Sequence, residues 1–222
     1  MVLHFGAMPV AQPADGPQDW CIHTYSIGRW EMGQRAEFRT AERYRPRTRT
    51  GSTVLSIFPT DLGWFGLLGR GESVLRLCFG HVGPAEVRQA LAGCVDAAGA
   101  SECDWTPDLR RRLEGYAAGE IDSFRDVRVA MEGRTQFQKT VIGALRSVGY
   151  GETVSYRELA ELAGSPRSAR AVGRVMAANR VPIIVACHRV LASGGGLGGF
   201  SAPQGTAMKR RLLQMEGAEA IR

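Results

Sequence analysis

A chain of 222 residues, 44% hydrophobic and 23% charged, is long enough for one large or two small domains with a real core. A formal net charge of +6 and a pI near 9.4 favour an anionic partner, nucleic acid being the simplest. No apolar run is long enough to span a membrane, and the N-terminus lacks a basic start followed by an apolar core; no membrane partner and a cytoplasmic location are therefore expected.

The five cysteines (Cys21, Cys78, Cys94, Cys103 and Cys187) are odd in number and irregularly spaced, which suits reduced thiols better than a disulfide framework. Residues 1–51 are rich in Pro, Gly, Gln and Thr and end in the basic run Arg43–Thr50. They read as a disordered or poorly ordered tail, with an arm on a phosphate backbone as the alternative. Cys21 and His23 alone are too few for a metal site, and no metal is expected.

From residue 52 to 131 the pattern is that of a small α+β structural domain. Val54–Phe58, Leu62–Leu68 and Ser73–Phe79 are strand-like runs separated by turn residues, predicting an antiparallel meander. Pro84–Leu91 reads as a helix, and Thr106 with Pro107 opens another through Tyr116. Val127–Met131 is predicted as a further strand.

Residues 132–222 are mainly helical. Thr135 caps a helix whose Phe137, Val141, Leu145 and Val148 fall on one stripe. Ser155 caps Tyr156–Ala163, with Glu158 spaced as its capping-box partner. Gly164-Ser165-Pro166 then breaks the chain before a helix over Arg167–Ala178. Helix, tight turn and helix form a helix-turn-helix unit. The second helix is built of small residues (Ala169, Ala171, Gly173, Ala177, Ala178) from which Arg167, Arg170 and Arg174 stand out, a pattern that lets a helix lie close to a phosphate backbone. The fold class expected is α+β: a small N-terminal α/β domain with an antiparallel sheet, followed by a mainly helical C-terminal domain containing the helix-turn-helix.

The stretch Ile183–Val190 carries the chemistry. Ile183, Ile184 and Val185 predict a short core strand that delivers Cys187 and His188, polar groups seldom buried in a strand without a task. A neutral thiol is a poor nucleophile and a thiolate a good one, so His188 is the natural activating base, expected to keep the sulfur anionic.

Gly151–Tyr156, Ala169–Gly173, Asn179, Cys187-His188-Arg189-Val190, Leu197–Ser201 and Lys209–Gly217 occur in an order and spacing that resemble the methylated-DNA–protein-cysteine methyltransferases. The likeness covers about residues 135–217 and extends more loosely back to about Ser56. It implies direct transfer of a methyl or larger alkyl group from the 6-oxygen of guanine, and less well from the 4-oxygen of thymine, to Cys187. No cofactor is implied, and each molecule acts once because water does not cleave the resulting thioether. Glu216 matches the glutamate that orients the histidine, which acts through a water. Tyr156 matches a tyrosine that donates to the base, and Asn179 an asparagine bracing the turn before the nucleophile. Arg170 matches the arginine that fills the stack when the base is flipped out. Ser201 matches the site that bonds the guanine oxygen, while Met176, Val190 and Phe200 are expected as pocket walls. The implied partner is double-stranded DNA containing alkylated guanine, bound by a monomer through the minor groove. Two departures are Ala186 and Arg180, where proline is usual in the family; alanine before the nucleophile predicts retained but slower transfer. The competing readings are a DNA-binding sensor of alkylated bases without transfer, and a thiol hydrolase using Cys187 and His188.

Overall fold

The computed structural model describes residues 51–94, 97 and 99–219. The predicted tail, with Cys21, His23 and the basic run to Thr50, lies outside the described residues. Three strands, β1 (Thr53–Thr60), β2 (Gly63–Arg70) and β3 (Ser73–His81), form the antiparallel meander, with registers closing at Thr60↔Gly63 and Arg70↔Ser73. After α1 (Pro84–Ala92), the two-residue β4 (Ser101–Glu102) adds to β1 in parallel, so the sheet order is β3-β2-β1-β4. Six α-helices are present among the described residues, completed by α2 (Pro107–Ala117), α3 (Gln136–Ser147), α4 (Tyr156–Leu162), α5 (Ala169–Ala177) and α6 (Thr206–Met215). None is long and apolar enough to cross a membrane.

Three apolar clusters organise these elements. On one face of the sheet, Leu55 and Leu68 pack with Val87 and Leu91 of α1. On the other, Phe58, Phe65 and Phe79 meet Leu113 and Tyr116 of α2, Met208 and Leu212 of α6, and Val181, Ile183 and Ile184. The third cluster joins α3, α4 and α5 through Val141, Leu145, Leu159, Val172 and Val175, and takes in Val185 and Val190. The chain around Cys187 is thus wedged between two cores, its apolar residues shared between them.

The predicted capping box of Ser155 with Glu158 forms, and the predicted cap Thr135 proves to be a second box with Gln138; each pair exchanges side-chain and backbone bonds, satisfying otherwise orphaned N–H groups. α4 ends one residue short of the predicted Ala163, which serves as its C-cap. Gly164 takes a left-handed conformation (φ +69°) and the Ser165 N–H turns back to the Ala160 carbonyl, a helix stop that favours glycine.

Four expectations are corrected. Val127–Met131 is not a strand; a single parallel bridge, Val74↔Val129, joins it to β3. Thr106 occupies the cap position of α2, but its side chain makes no capping bond and its hydroxyl is buried without a partner among the described residues. The second helix of the pair starts at Ala169 rather than Arg167, because the Ser168 N–H is drawn to the Ser165 carbonyl in a tight turn. Residues 183–186 form no strand. They run through successive turns (Ile184 N to Pro182 O, 2.9 Å; Val185 N to Val181 O, 2.9 Å; Cys187 N to Val185 O, 2.7 Å), and Cys187–Arg189 is one turn of 3₁₀ helix. Buried Ile183 has φ +70°, a conformation that β-branched residues rarely adopt and that the packing of two cores must hold in place.

Candidate active site

Two short strands assemble the site. β5 (Val154–Ser155) pairs in parallel with β6 (Val190–Leu191) through Val154↔Val190 and Ser155↔Leu191. Tyr156, the residue after β5, is thereby brought beside Cys187, three residues before β6. Asn179, just beyond α5, ties the intervening turn. Its Oδ1 accepts from the Val181 N–H (3.1 Å), and its Nδ2 donates to the Val185 carbonyl (2.8 Å) and to Cys187 Sγ (3.2 Å).

Cys187 opens on a cavity of about 620 Å³, within the size range of small-molecule sites. Its lining includes Tyr156, Gly173, Met176, Ala177 and Asn179, then Phe200, Ser201 and Pro203, and Leu77, Phe79 and His81 of β3. Val190 is not among the lining residues. It is fully buried in the helical core, and its carbonyl accepts from Lys209 Nζ at 2.6 Å, so the expected pocket role is corrected to packing. Phe200 does line the cavity and stands edge-on to Phe79, 6.3 Å between ring centres. Lys209 is completely buried and also donates to the Leu197 carbonyl, tethering the loop that carries Phe200 and Ser201. In that loop Gly198 (φ +67°) passes so close to Tyr156 that a side chain there would stand 3.3 Å from the phenolic oxygen.

Behind Cys187 the site is buried. His188, Glu216 and Tyr116 are almost wholly inaccessible, and Arg189 nearly so. Glu216, directly after α6, accepts five hydrogen bonds. Arg189 donates through Nε to Oε2 and through Nη2 to Oε1, both at 2.9 Å, while the Gly151 N–H reaches Oε2 at 3.2 Å. The Tyr116 hydroxyl reaches Oε1 at 2.6 Å and His188 Nε2 reaches it at 3.0 Å. Against the cost of burial, these donors hold the carboxyl far below the usual carboxylate range. Arg189 also donates to the Val148 carbonyl (2.8 Å), so a buried bidentate ion pair is well satisfied.

This arrangement decides the histidine tautomer. The nearest groups to His188 Nε2 are an ionised oxygen and, at 3.4 Å, the Tyr116 oxygen, whose own proton goes to Glu216. Both accept, so Nε2 carries the hydrogen and Nδ1 presents a lone pair. Nδ1 is buried and has no partner among the described residues. Burial lowers the His188 pKa more than Glu216 raises it, so the ring is neutral near pH 7.

The sulfur differs from expectation. Burial pushes the Cys187 thiol above its ordinary value, only partly offset by the Asn179 amide and the Lys209 ammonium. At rest the pair is therefore thiol and neutral imidazole, not a thiolate kept anionic by its neighbour. Burial, with Cys187 beside it, likewise raises Tyr156, which remains a proton donor at neutral pH.

Of the residues expected on α5, Arg170 and Arg174 are exposed, Ala169 and Gly173 half-buried, and Arg167 lies exposed in the preceding turn. Gly173 faces the Tyr156 ring. Among the described residues no group of three His, Cys, Asp or Glu side chains converges on a common point. Sequence reasoning missed Tyr116 and Arg189. Tyr116 comes from the region expected to be purely structural and looks like any apolar-face residue of α2; Arg189 stood in the quoted motif without an assigned role.

A family model described as 6-O-methylguanine DNA methyltransferase, DNA binding domain, matches residues 136–218. A methylated-DNA–protein-cysteine methyltransferase of Methanosarcina acetivorans is 47% identical over 111 residues, spanning 50% of this chain and 69% of that protein. The protein of that name from Mycobacterium bovis is 42% identical over 126 residues, covering 54% and 74%. In structure, Mycobacterium tuberculosis OGT in complex with DNA superposes with a TM-score of 0.61 at 30% identity, covering 75% of this chain and 96% of that one. The O6-methylguanine-DNA methyltransferase of Pyrococcus kodakaraensis gives 0.59 at 28%, covering 74% and 100%. A cysteine lining a cavity, backed by a histidine and a glutamate on the motif spacing, is thus found in a chain alike in sequence and fold to these proteins, and the chain belongs to the methylated-DNA–protein-cysteine methyltransferase family.

Proposed function

We propose that this chain repairs duplex DNA by moving a methyl or larger alkyl group from the 6-oxygen of guanine, and less readily from the 4-oxygen of thymine, onto Cys187, once per molecule. The observation that carries this reading is that Cys187 lines the cavity while the adjacent His188, held by Glu216 through Nε2, leaves its buried Nδ1 as an acceptor.

His188 Nδ1 takes the thiol proton, through a water in the family's manner, as the sulfur attacks the alkyl carbon. The carbon–oxygen bond breaks as the sulfur–carbon bond forms. Tyr156 gives a proton to the departing base, so guanine leaves neutral, and the phenolate is reprotonated from the proton released by the thiol. Glu216, fixed by Arg189 and Tyr116, favours the imidazolium that forms transiently. Met176 and Phe200 wall the flipped base, and Ser201 bonds its oxygen.

α4 and α5 act as the helix-turn-helix, with α5 in the minor groove. Its Ala169 and Gly173 permit close approach, Arg170 fills the stack and Arg167 and Arg174 meet phosphates. The protein works as a monomer, residues 132–222 forming the alkyltransferase domain and 52–131 its support. Incubation with a methylguanine duplex followed by intact and peptide mass measurement tests this: one methyl gained on the Cys187 peptide, and none in Cys187→Ala, is expected. Duplex binding without a mass change would replace this reading with that of a damage sensor. Turnover of an ester or amide lost in Cys187→Ala would make the protein a hydrolase.

A further inference from the structure

The arginines of α5 are not the whole positive charge beside the cavity. β3 is an edge strand, and two separate segments lie along it. Val74 exchanges bonds with Arg128 and Ala130 (2.8 and 2.9 Å), and three residues on, the Leu77 N–H donates to the Arg180 carbonyl at 2.9 Å. Arg76 sits between these attachments, Arg180 at the second, and Arg134 four residues past the first, just before α3. Three arginines from three segments are therefore carried along one edge. Arg180 and Arg76 act on Arg134 as like charges and, after burial, help lower its pKa. Half-buried Arg134 forms no ion pair among the described residues. Of the acidic groups closest in sequence, Glu72 is held by Arg128 at 2.6 Å and Glu132 is exposed. α3 starts here with no acidic residue in its first turn, adding the partial positive charge of a helix N-terminus. The place is next to the catalytic cavity: Leu77 and Asn179, neighbours of Arg76 and Arg180, both line it, and exposed Arg174 lies six positions before Arg180.

We propose that Arg76, Arg134 and Arg180 form a site for a backbone phosphate of the DNA held by α5. The inference rests on the DNA-repair reading above. Guanidinium groups suit phosphate because their planar forks donate paired hydrogen bonds, and an anion relieves the repulsion among three like charges. A phosphate contact at this edge carries no sequence information but fixes the register of the duplex over Cys187. Arg180 also follows Asn179, whose amide holds the sulfur, so an occupied site steadies the turn that presents the nucleophile.

The test is the salt dependence of binding to an unmodified duplex, measured by fluorescence anisotropy for the wild type and two triple variants. One variant carries Arg76→Ala, Arg134→Ala and Arg180→Ala; the other replaces the same three residues with lysine. The slope of log K against log salt is expected to shrink by about 0.9 in the alanine variant, with affinity lower on every sequence tested, and to be retained with lysine. Thermal melting reports whether each variant is folded. Equal slopes for wild type and the alanine variant overturn the inference, as does a lysine variant that loses the slope. Inorganic phosphate at constant ionic strength that stabilises only the wild type, with equal duplex slopes, would mark a free-phosphate site and overturn the DNA assignment. An Arg170→Ala/Arg174→Ala variant separates the two levels. If it loses the duplex while the edge variant binds as wild type does, this inference alone falls; if wild type neither binds duplex nor gains a methyl, the repair reading falls too.

Discussion

Cys187 and His188 are consecutive in the chain yet face opposite worlds. The cysteine looks into a cavity whose walls are small or apolar residues with a few hydroxyl and amide groups; the histidine looks into a sealed cluster where one carboxylate takes five hydrogen bonds. The division is made within one turn of 3₁₀ helix, which buries His188 and Arg189 while Cys187 lines the cavity. On the proposed function the front admits the flipped base, and the rear holds His188 as the proton acceptor in a buried, preorganised environment.

The strongest way to break the comparison is to damage the rear alone. Glu216→Gln removes the charge that Arg189 neutralises, leaving a buried guanidinium without its counter-ion. The expected loss of folding stability is about 3–5 kcal/mol, read from chemical denaturation, together with a collapse of methyl transfer. A variant as stable as wild type would show that the buried pair does not organise the site.

Damage to the front should spare the fold. Tyr156→Phe keeps the ring that packs near Gly173 and Gly198 but removes the proton donor. Transfer measured under single-turnover conditions is expected to slow by about 100-fold, with stability changed by no more than about 1 kcal/mol. An unchanged rate would remove Tyr156 from the proton path.

The contrast between front and rear also explains what the sequence could and could not disclose. Local signals were legible because their energetics are local: Thr135 was expected as a cap and Ser155 with Glu158 as a capping box, and both cap. The nucleophile and base could be proposed from the adjacent Cys187 and His188 themselves, and Glu216 from the family resemblance. The backbone at Ile183–Ala186 could not, since β-branched residues enter a buried turn as readily as a strand when two cores compete for them. Tyr116 was silent for another reason. It lies 100 positions from Glu216, and a tyrosine on the buried face of α2 satisfies the helix pattern whether or not its hydroxyl finds a carboxylate. Val190 was misplaced because a family likeness suggests a pocket wall without telling which core the side chain will enter.

A smaller effect is expected from pH. His188 has a depressed pKa in the folded chain, so on acidification the unfolded chain takes up its proton first. Stability should therefore begin to fall as pH drops below about 6.5, where an unfolded histidine titrates. Glu216, also depressed, adds a second loss that begins near the ordinary glutamate range and continues as pH falls further. Transfer by contrast should hold through pH 6.5 and decline only at lower pH, when the ring itself is protonated. Denaturation midpoints and single-turnover rates measured over the same pH series separate the two. A transfer rate that drops in step with an ordinary histidine would contradict the sealed environment of the rear.

The smallest effect belongs to the hinge between the two sides. Ala186 stands where proline is usual in this family, and its φ of −74° already lies in the range a proline ring imposes. Its N–H takes part in none of the turn bonds that hold residues 181–189. Ala186→Pro should therefore stabilise the protein by about 0.4–1 kcal/mol through the unfolded state, a rise in Tm of about 1–4 °C for a domain of this size. Transfer should become no slower, and faster to the extent that freedom in the approach to Cys187 limits the rate. A fall in Tm would mean that Val185, wedged in the helical core, cannot take the extended conformation a following proline demands, and that alanine is required here by the packing on its N-terminal side.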